Sequence, residues 1–206
     1  KNKYSIEDML NIMEILRSPE GCPWDREQTH KSIRSCFIEE TYEVAEAIDN
    51  DDSELLKEEL GDVLLQVLFH SQLESEKGSF DFSDVVDGIA KKMIVRHPHV
   101  FGDTVVGNSD EVLVNWDAIK KKTKSQTTQT EVLQSVSKAL PALMRSEKVQ
   151  RKAAKVGFDW PDVSGALDKV AEETGELKQA IVSGSQEDRE EELGDLLFSV
   201  VNVARF

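Results

Sequence analysis

Apolar side chains recur three and four residues apart along almost the whole chain, the spacing that lines one face of an α-helix. Met9, Leu10, Ile12, Met13, Ile15 and Leu16 predict a helix over residues 7–17. Ile33, Phe37, Ile38, Val44, Ala45 and Ile48 predict another over 32–48. A longer stripe of Leu56, Leu60, Val63, Leu64, Val67 and Leu68 carries a third helix to Glu76, where Lys77-Gly78-Ser79 stops it. The polar turn before it contains Asp51 and Glu54 at the spacing of a capping box. Further helices are predicted over 82–96, ended by Pro98, and over 110–122. Three more follow at 143–156, at 165–182, and from a cap of Ser185 with Asp188 to Phe206. Residues 18–25 hold two prolines and a glycine and read as a loop, echoed at 157–162 by a second loop with a tryptophan. Residues 121–130 contain no apolar side chain and read as a linker. The predicted fold class is all-α.

The polar positions carry the stronger signal. Glu39-Glu40-Thr41-Tyr42-Glu43 is followed by Glu59-Leu60-Gly61-Asp62, and Glu172-Glu173-Thr174-Gly175-Glu176 by Glu192-Leu193-Gly194-Asp195. Nineteen positions separate Glu40 from Glu59, and the same number separate Glu173 from Glu192. A repeat kept for stability would hold its apolar positions best, whereas this one holds its acids. Residues three and four apart share a helix face, so Glu40 with Glu43 and Glu59 with Asp62 each project together. The short connection between their helices makes them antiparallel neighbours, which lets four carboxylates converge. Such crowding is costly without a cation. Oxygen-only ligands indicate a hard ion, Mg²⁺ or Mn²⁺. Gly61 and Gly194 each interrupt a helix at a cost of about 1 kcal/mol, which predicts close approach of a helix or a ligand there. A di-iron bundle needs two Glu-x-x-His elements, and only Glu27 with His30 supplies one.

Charge narrows the partners. The 206 residues carry a formal net charge of −15, which excludes diffuse electrostatic binding of a nucleic-acid polymer. A polyanionic ligand then needs a metal between acid and phosphate. Cys22 and Cys36 form no disulfide framework and fit a reducing, cytoplasmic setting. No apolar run is long enough to span a bilayer, so no membrane association is expected.

The paired acidic motifs resemble those of the MazG family of all-α nucleoside triphosphate pyrophosphohydrolases. Gly21-Cys22-Pro23-Trp24-Asp25-Arg26-Glu27-Gln28-Thr29-His30 and Arg96-His97-Pro98-His99-Val100-Phe101-Gly102-Asp103 look like further hallmarks of that family. The resemblance covers essentially the whole chain and implies a tandem arrangement. It implies a first domain over 1–121, a linker at 122–130, and a second, C-terminally incomplete domain over 131–206, with four-helix cores completed by homodimerisation. It also implies Mg²⁺-dependent hydrolysis of NTP or dNTP substrates to the monophosphate and pyrophosphate, with Mn²⁺ as the alternative ion.

By motif position the resemblance implies metal ligands at Glu40, Glu43, Glu59 and Asp62 in one site and at Glu173, Glu176, Glu192 and Asp195 in the other. Glu39 and Glu172 are the expected catalytic residues, orienting or deprotonating the attacking water. Lys92, Arg96, Trp116 and Lys120 resemble a clamp for phosphates and base, and Lys169 and Arg189 add cations beside the second set of acids. Lys169 stands where the first half has Cys36, so the two sites are not chemically identical. Two other readings remain open from sequence. One is a helical module that holds metal or nucleotide without turnover; the other is a purely structural dimeric bundle.

Overall fold

A computed structural model describes residues 3–123 and 128–206, and among them the chain is helical without strands. Two compact units divide it, Lys1–Val105 and Val106–Phe206.

The first unit begins with α1 (Ile6–Arg17), capped by a reciprocal Ser5 and Asp8 box. Pro23 then opens a short helix, α2 (Pro23–Glu27), inside the stretch expected to be a loop. Proline breaks a helix interior but suits the first helical position, where its missing N–H leaves no bond unmade. Gly21 is required just before it: a Cβ there would lie 2.2 Å from the Ile15 carbonyl oxygen. The hairpin of α3 (Arg34–Asp49) and α4 (Ser53–Ser75) follows. Its turn differs by one residue from the expected cap. Asp52, not Asp51, accepts hydrogen bonds from the Glu54 and Leu55 amides, and Asp51 takes the left-handed turn at φ 54°. Helices α5 (Phe82–Arg96) and α6 (Pro98–Phe101) complete the unit, with the His97 ring held 2.6 Å from the Met93 carbonyl at the end of α5.

Met13, Ile33, Phe69 and Leu73 form the buried core here, with Leu65 packed against it. Arg17 pins the core's edge. Its guanidinium pairs with both Glu76 oxygens at 2.7 and 2.8 Å, donates to the Asp25 carbonyl, and lies 5.3 Å from the Phe69 ring centroid. One side chain therefore ties α1 and α2 to the end of α4.

The second unit holds α7 (Ser109–Thr123), α8 (Gln129–Gln134), α9 (Ala142–Ala154) and the hairpin of α10 (Val163–Ser183) and α11 (Gln186–Arg205). Helix α8 begins inside the stretch read as linker, because Thr128 and Glu131 form a capping box. Residues 124–127 of that stretch lie outside the described residues. The Ser185 and Asp188 cap of α11 forms as expected. Gln150 of α9 donates to the Phe198 carbonyl of α11 at 2.7 Å, and Trp160 packs onto Gly165 at the start of α10. Arg205 pairs with Asp159, anchoring the second tryptophan loop to the end of α11.

Each hairpin leaves apolar side chains uncovered. Leu60 and Leu64 on α4 are exposed, as are Leu193 and Leu197 at the matching positions of α11.

Candidate active site

The two hairpins bring the duplicated acids together. Connections of three residues between α3 and α4, and of two between α10 and α11, fold each helix back along its partner. In the first unit, carboxylate oxygens of Glu40, Glu43 and Glu59 lie within 4.8 Å of one another. In the second, Glu173, Glu192 and Asp195 do the same. Asp62 stands beside the first trio, close enough that its charge raises the pKa of Glu40 and of Glu59. Glu176 hydrogen-bonds Glu173 at the edge of the second.

Burial makes these acids unusual. Glu59 is 9% exposed and Glu173 is 4% exposed, in a protein whose other carboxylates mostly face water. Burial, then the Glu43 hydrogen bond and the charges of Asp62, Glu43 and Glu59, push the Glu40 pKa up. Glu59 is pushed up by burial and then by Glu43 and Asp62. In the second cluster the Glu173 hydrogen bond raises Glu176 first, and burial leads the rise at Glu192, followed by Glu173 and Asp195. Like charges thus crowd both clusters, and Lys169 is the one basic side chain paired with either of them among the described residues. Three converging hard oxygen donors, one of them buried, fit a divalent cation and no softer ligand set. Neither histidine nor cysteine belongs to either group among the described residues.

The remaining expected site residues are distributed around these clusters. Glu39 and Glu172 are exposed and lie next in sequence to Glu40 and Glu173. Lys169 reaches both Glu172 at 2.9 Å and Glu173 at 2.5 Å. Arg189 donates to the Ala180 and Gly184 carbonyls at 3.2 and 3.0 Å, closing the C-terminal end of α10. Lys92 and Arg96 lie on α5 of the first unit, Trp116 and Lys120 on α7 of the second. The glycine expectation is not met within the chain: a Cβ on Gly61 or Gly194 meets no atom within 4 Å.

His30 does not join the acids, although Glu27 and His30 have metal-binding spacing. Its Nδ1 lies 2.7 Å from that of His70, and its Nε2 lies 2.5 Å from Glu74. The rings stack at 5.0 Å between centroids. The i, i+4 spacing of His70 and Glu74 was readable in the sequence, but their meeting with His30 was not.

Residues 28–101 and 163–206 match the MazG nucleotide pyrophosphohydrolase domain. The chain is 48% identical over 205 residues to the nucleoside triphosphate pyrophosphohydrolase of Escherichia coli (strain K12), covering 97% of this chain and 77% of that protein. It is 47% identical over 201 residues to the nucleoside triphosphate pyrophosphohydrolase/pyrophosphatase MazG of Thermotoga maritima, covering 98% and 76%. Among solved structures, a mazG-related protein from Thermotoga maritima aligns with TM-score 0.48 and 28% identity over 56% of this chain and 99% of that one.

Proposed function

The chain belongs to the MazG nucleotide pyrophosphohydrolase family, and from that premise we propose that its two acidic clusters are the metal centres of its hydrolytic reaction. It is an enzyme that hydrolyses nucleoside triphosphates to the monophosphate and pyrophosphate. The observation carrying the metal reading is the convergence of carboxylates on a buried glutamate in each cluster, on Glu59 with no basic partner among the described residues and on Glu173 with Lys169 beside it. Carboxylates in that position need a cation.

The ion proposed is Mg²⁺, with Mn²⁺ an acceptable substitute, held by Glu40, Glu43, Glu59 and Asp62 or by Glu173, Glu176, Glu192 and Asp195. A bound ion would neutralise the clustered carboxylates and offset the charge of the triphosphate. Glu39 and Glu172 take the proton of the attacking water as its oxygen bonds to the α-phosphorus. The bond from that phosphorus to the bridging oxygen breaks, and pyrophosphate leaves. Lys92 and Arg96 of the first unit, and separately Trp116, Lys120, Lys169 and Arg189 of the second, are each proposed to contact phosphate or base. The exposed leucines repeated on α4 and α11 support a homodimer in which these helices pair across the interface.

Hydrolysis in ¹⁸O-labelled water tests the point of attack. The label is expected in the nucleoside monophosphate. Label in the pyrophosphate would show attack at the β-phosphorus and overturn the assignment.

A further inference from the structure

The internal duplication supplies its own control. Both clusters contain the same acids in the same register, yet four residues before the ligand glutamate the first has Cys36 and the second Lys169. Lys169 is not a distant neighbour. Its ammonium lies 2.5 Å from Glu173, the least exposed acid of the second cluster, and 2.9 Å from Glu172. Among the described residues, no lysine or arginine pairs with Glu40, Glu43, Glu59 or Asp62. Among the described residues the first cluster thus has no paired cation, and the second already has one.

An ammonium and a divalent ion cannot both take the same carboxylate lone pairs without one yielding. The ammonium is covalently attached, so its local concentration is high and independent of the solution. A divalent ion brings twice the charge but must strip its own water and break the existing pair.

We propose that Lys169 is a resident counter-cation of the second cluster, bound to Glu173 until a divalent ion displaces it, so that the first cluster loads at a lower ion concentration than the second. The proposal rests on the reading of both clusters as ion sites. It gives one polypeptide two sites of graded ion demand. Lys169 acts here as a positioning residue, holding Glu173 in place while the ion is absent.

The test uses the full-length chain. Glu192→Gln leaves the first cluster intact and Glu59→Gln leaves the second. Free Mn²⁺ followed by electron paramagnetic resonance should show the first cluster binding about tenfold tighter, the scale of one partly buried ion pair. Adding Lys169→Met to Glu59→Gln should close the gap, and adding Cys36→Lys to Glu192→Gln should weaken the first cluster. Lys169→Gln repeats the first of these with a polar side chain, and circular dichroism confirms that each variant is folded. A nitrogen-15 spectrum should show the ion-paired Lys169 ammonium in the metal-free chain and lose it at saturating Mg²⁺. Equal affinities of the two clusters, no gain from Lys169→Met, or an ammonium signal that survives Mg²⁺ would overturn the proposal while leaving the ion sites standing. Absence of Mn²⁺ binding by either variant would overturn the ion-site reading, and the proposal with it.

Discussion

Glu59 and Glu173 are the buried members of the two acid clusters, and burial denies them the water that shields the surface carboxylates. Glu39 and Glu172 differ from them in being exposed and outside the converging trios, which fits a role at the water and not at the ion. Glu39→Gln combined with Glu172→Gln is expected to lower turnover by roughly 10²–10⁴, the span of a lost general base, with Mn²⁺ affinity nearly unchanged. A parallel loss of Mn²⁺ binding would make them ligands instead. Arg17 is the structural counterpart of these residues: its side chain is 6% exposed, whereas Glu76 is 37% exposed. Arg17→Met should destabilise the fold by roughly 2 kcal/mol, less than for a fully buried pair because water reaches the glutamate. Urea unfolding measures this. The acids were legible in the sequence because helical spacing dictates which side chains share a face. Their partners were less so. That Arg189 closes α10, or that Lys169 sits on Glu173, depends on rotamers and a folded neighbour, and spacing fixes neither.

At the scale of elements, caps and breakers explain where the reading held. Ser185 with Asp188 announces α11 through a reciprocal pair of local hydrogen bonds. Pro23 was read as a breaker, but at the first helical position the same residue starts α2. Asp51 and Asp52 are adjacent and both suited to a turn, so sequence could not decide which caps α4; the left-handed backbone at Asp51 decides it. The glycines of the hairpins belong to this scale too. Since a Cβ at Gly61 or Gly194 meets no atom within 4 Å among the described residues, helix propensity should govern the substitution. Gly61→Ala and Gly194→Ala are each expected to stabilise the isolated fold by roughly 1 kcal/mol. If these helices pair with a second copy across this face, the same changes should weaken self-association in sedimentation experiments. A gain in stability with unchanged association would remove the glycines from any interface.

The whole molecule combines duplicated chemistry with units that hold themselves together differently. Tethers in the first unit are sensitive to acid. Hydrogen bonds from Lys77, His30 and Ser79 hold the Glu74 carboxyl down at about 2. Its unfolded value is near 4.5, so below that the unfolded chain binds the extra proton and the stability Glu74 contributes is lost as pH falls towards 2. Burial, then the charge of His30, lowers the His70 pKa below 6.5. The unfolded chain therefore takes up that proton first too, and stability should begin to fall below pH 6.5. The gap in urea midpoint between the parent and Glu74→Gln should hold steady from pH 6.5 to 4.5 and shrink as pH falls from 4.5 towards 2. The tandem arrangement was legible because the repeat keeps chemistry in register. The division of the chain into compact units was not, since packing between distant segments places α7 with the second. The central claim is that both acid clusters hold ions that hydrolysis requires. It is tested most directly by measuring bound Mn²⁺ and pyrophosphate release together in the parent chain, Glu59→Gln, Glu192→Gln and the double variant. The account predicts that each single variant loses the ion of its own cluster and that the double variant loses both, together with all pyrophosphate release. A folded double variant that still binds Mn²⁺ or releases pyrophosphate at the parent rate would contradict it.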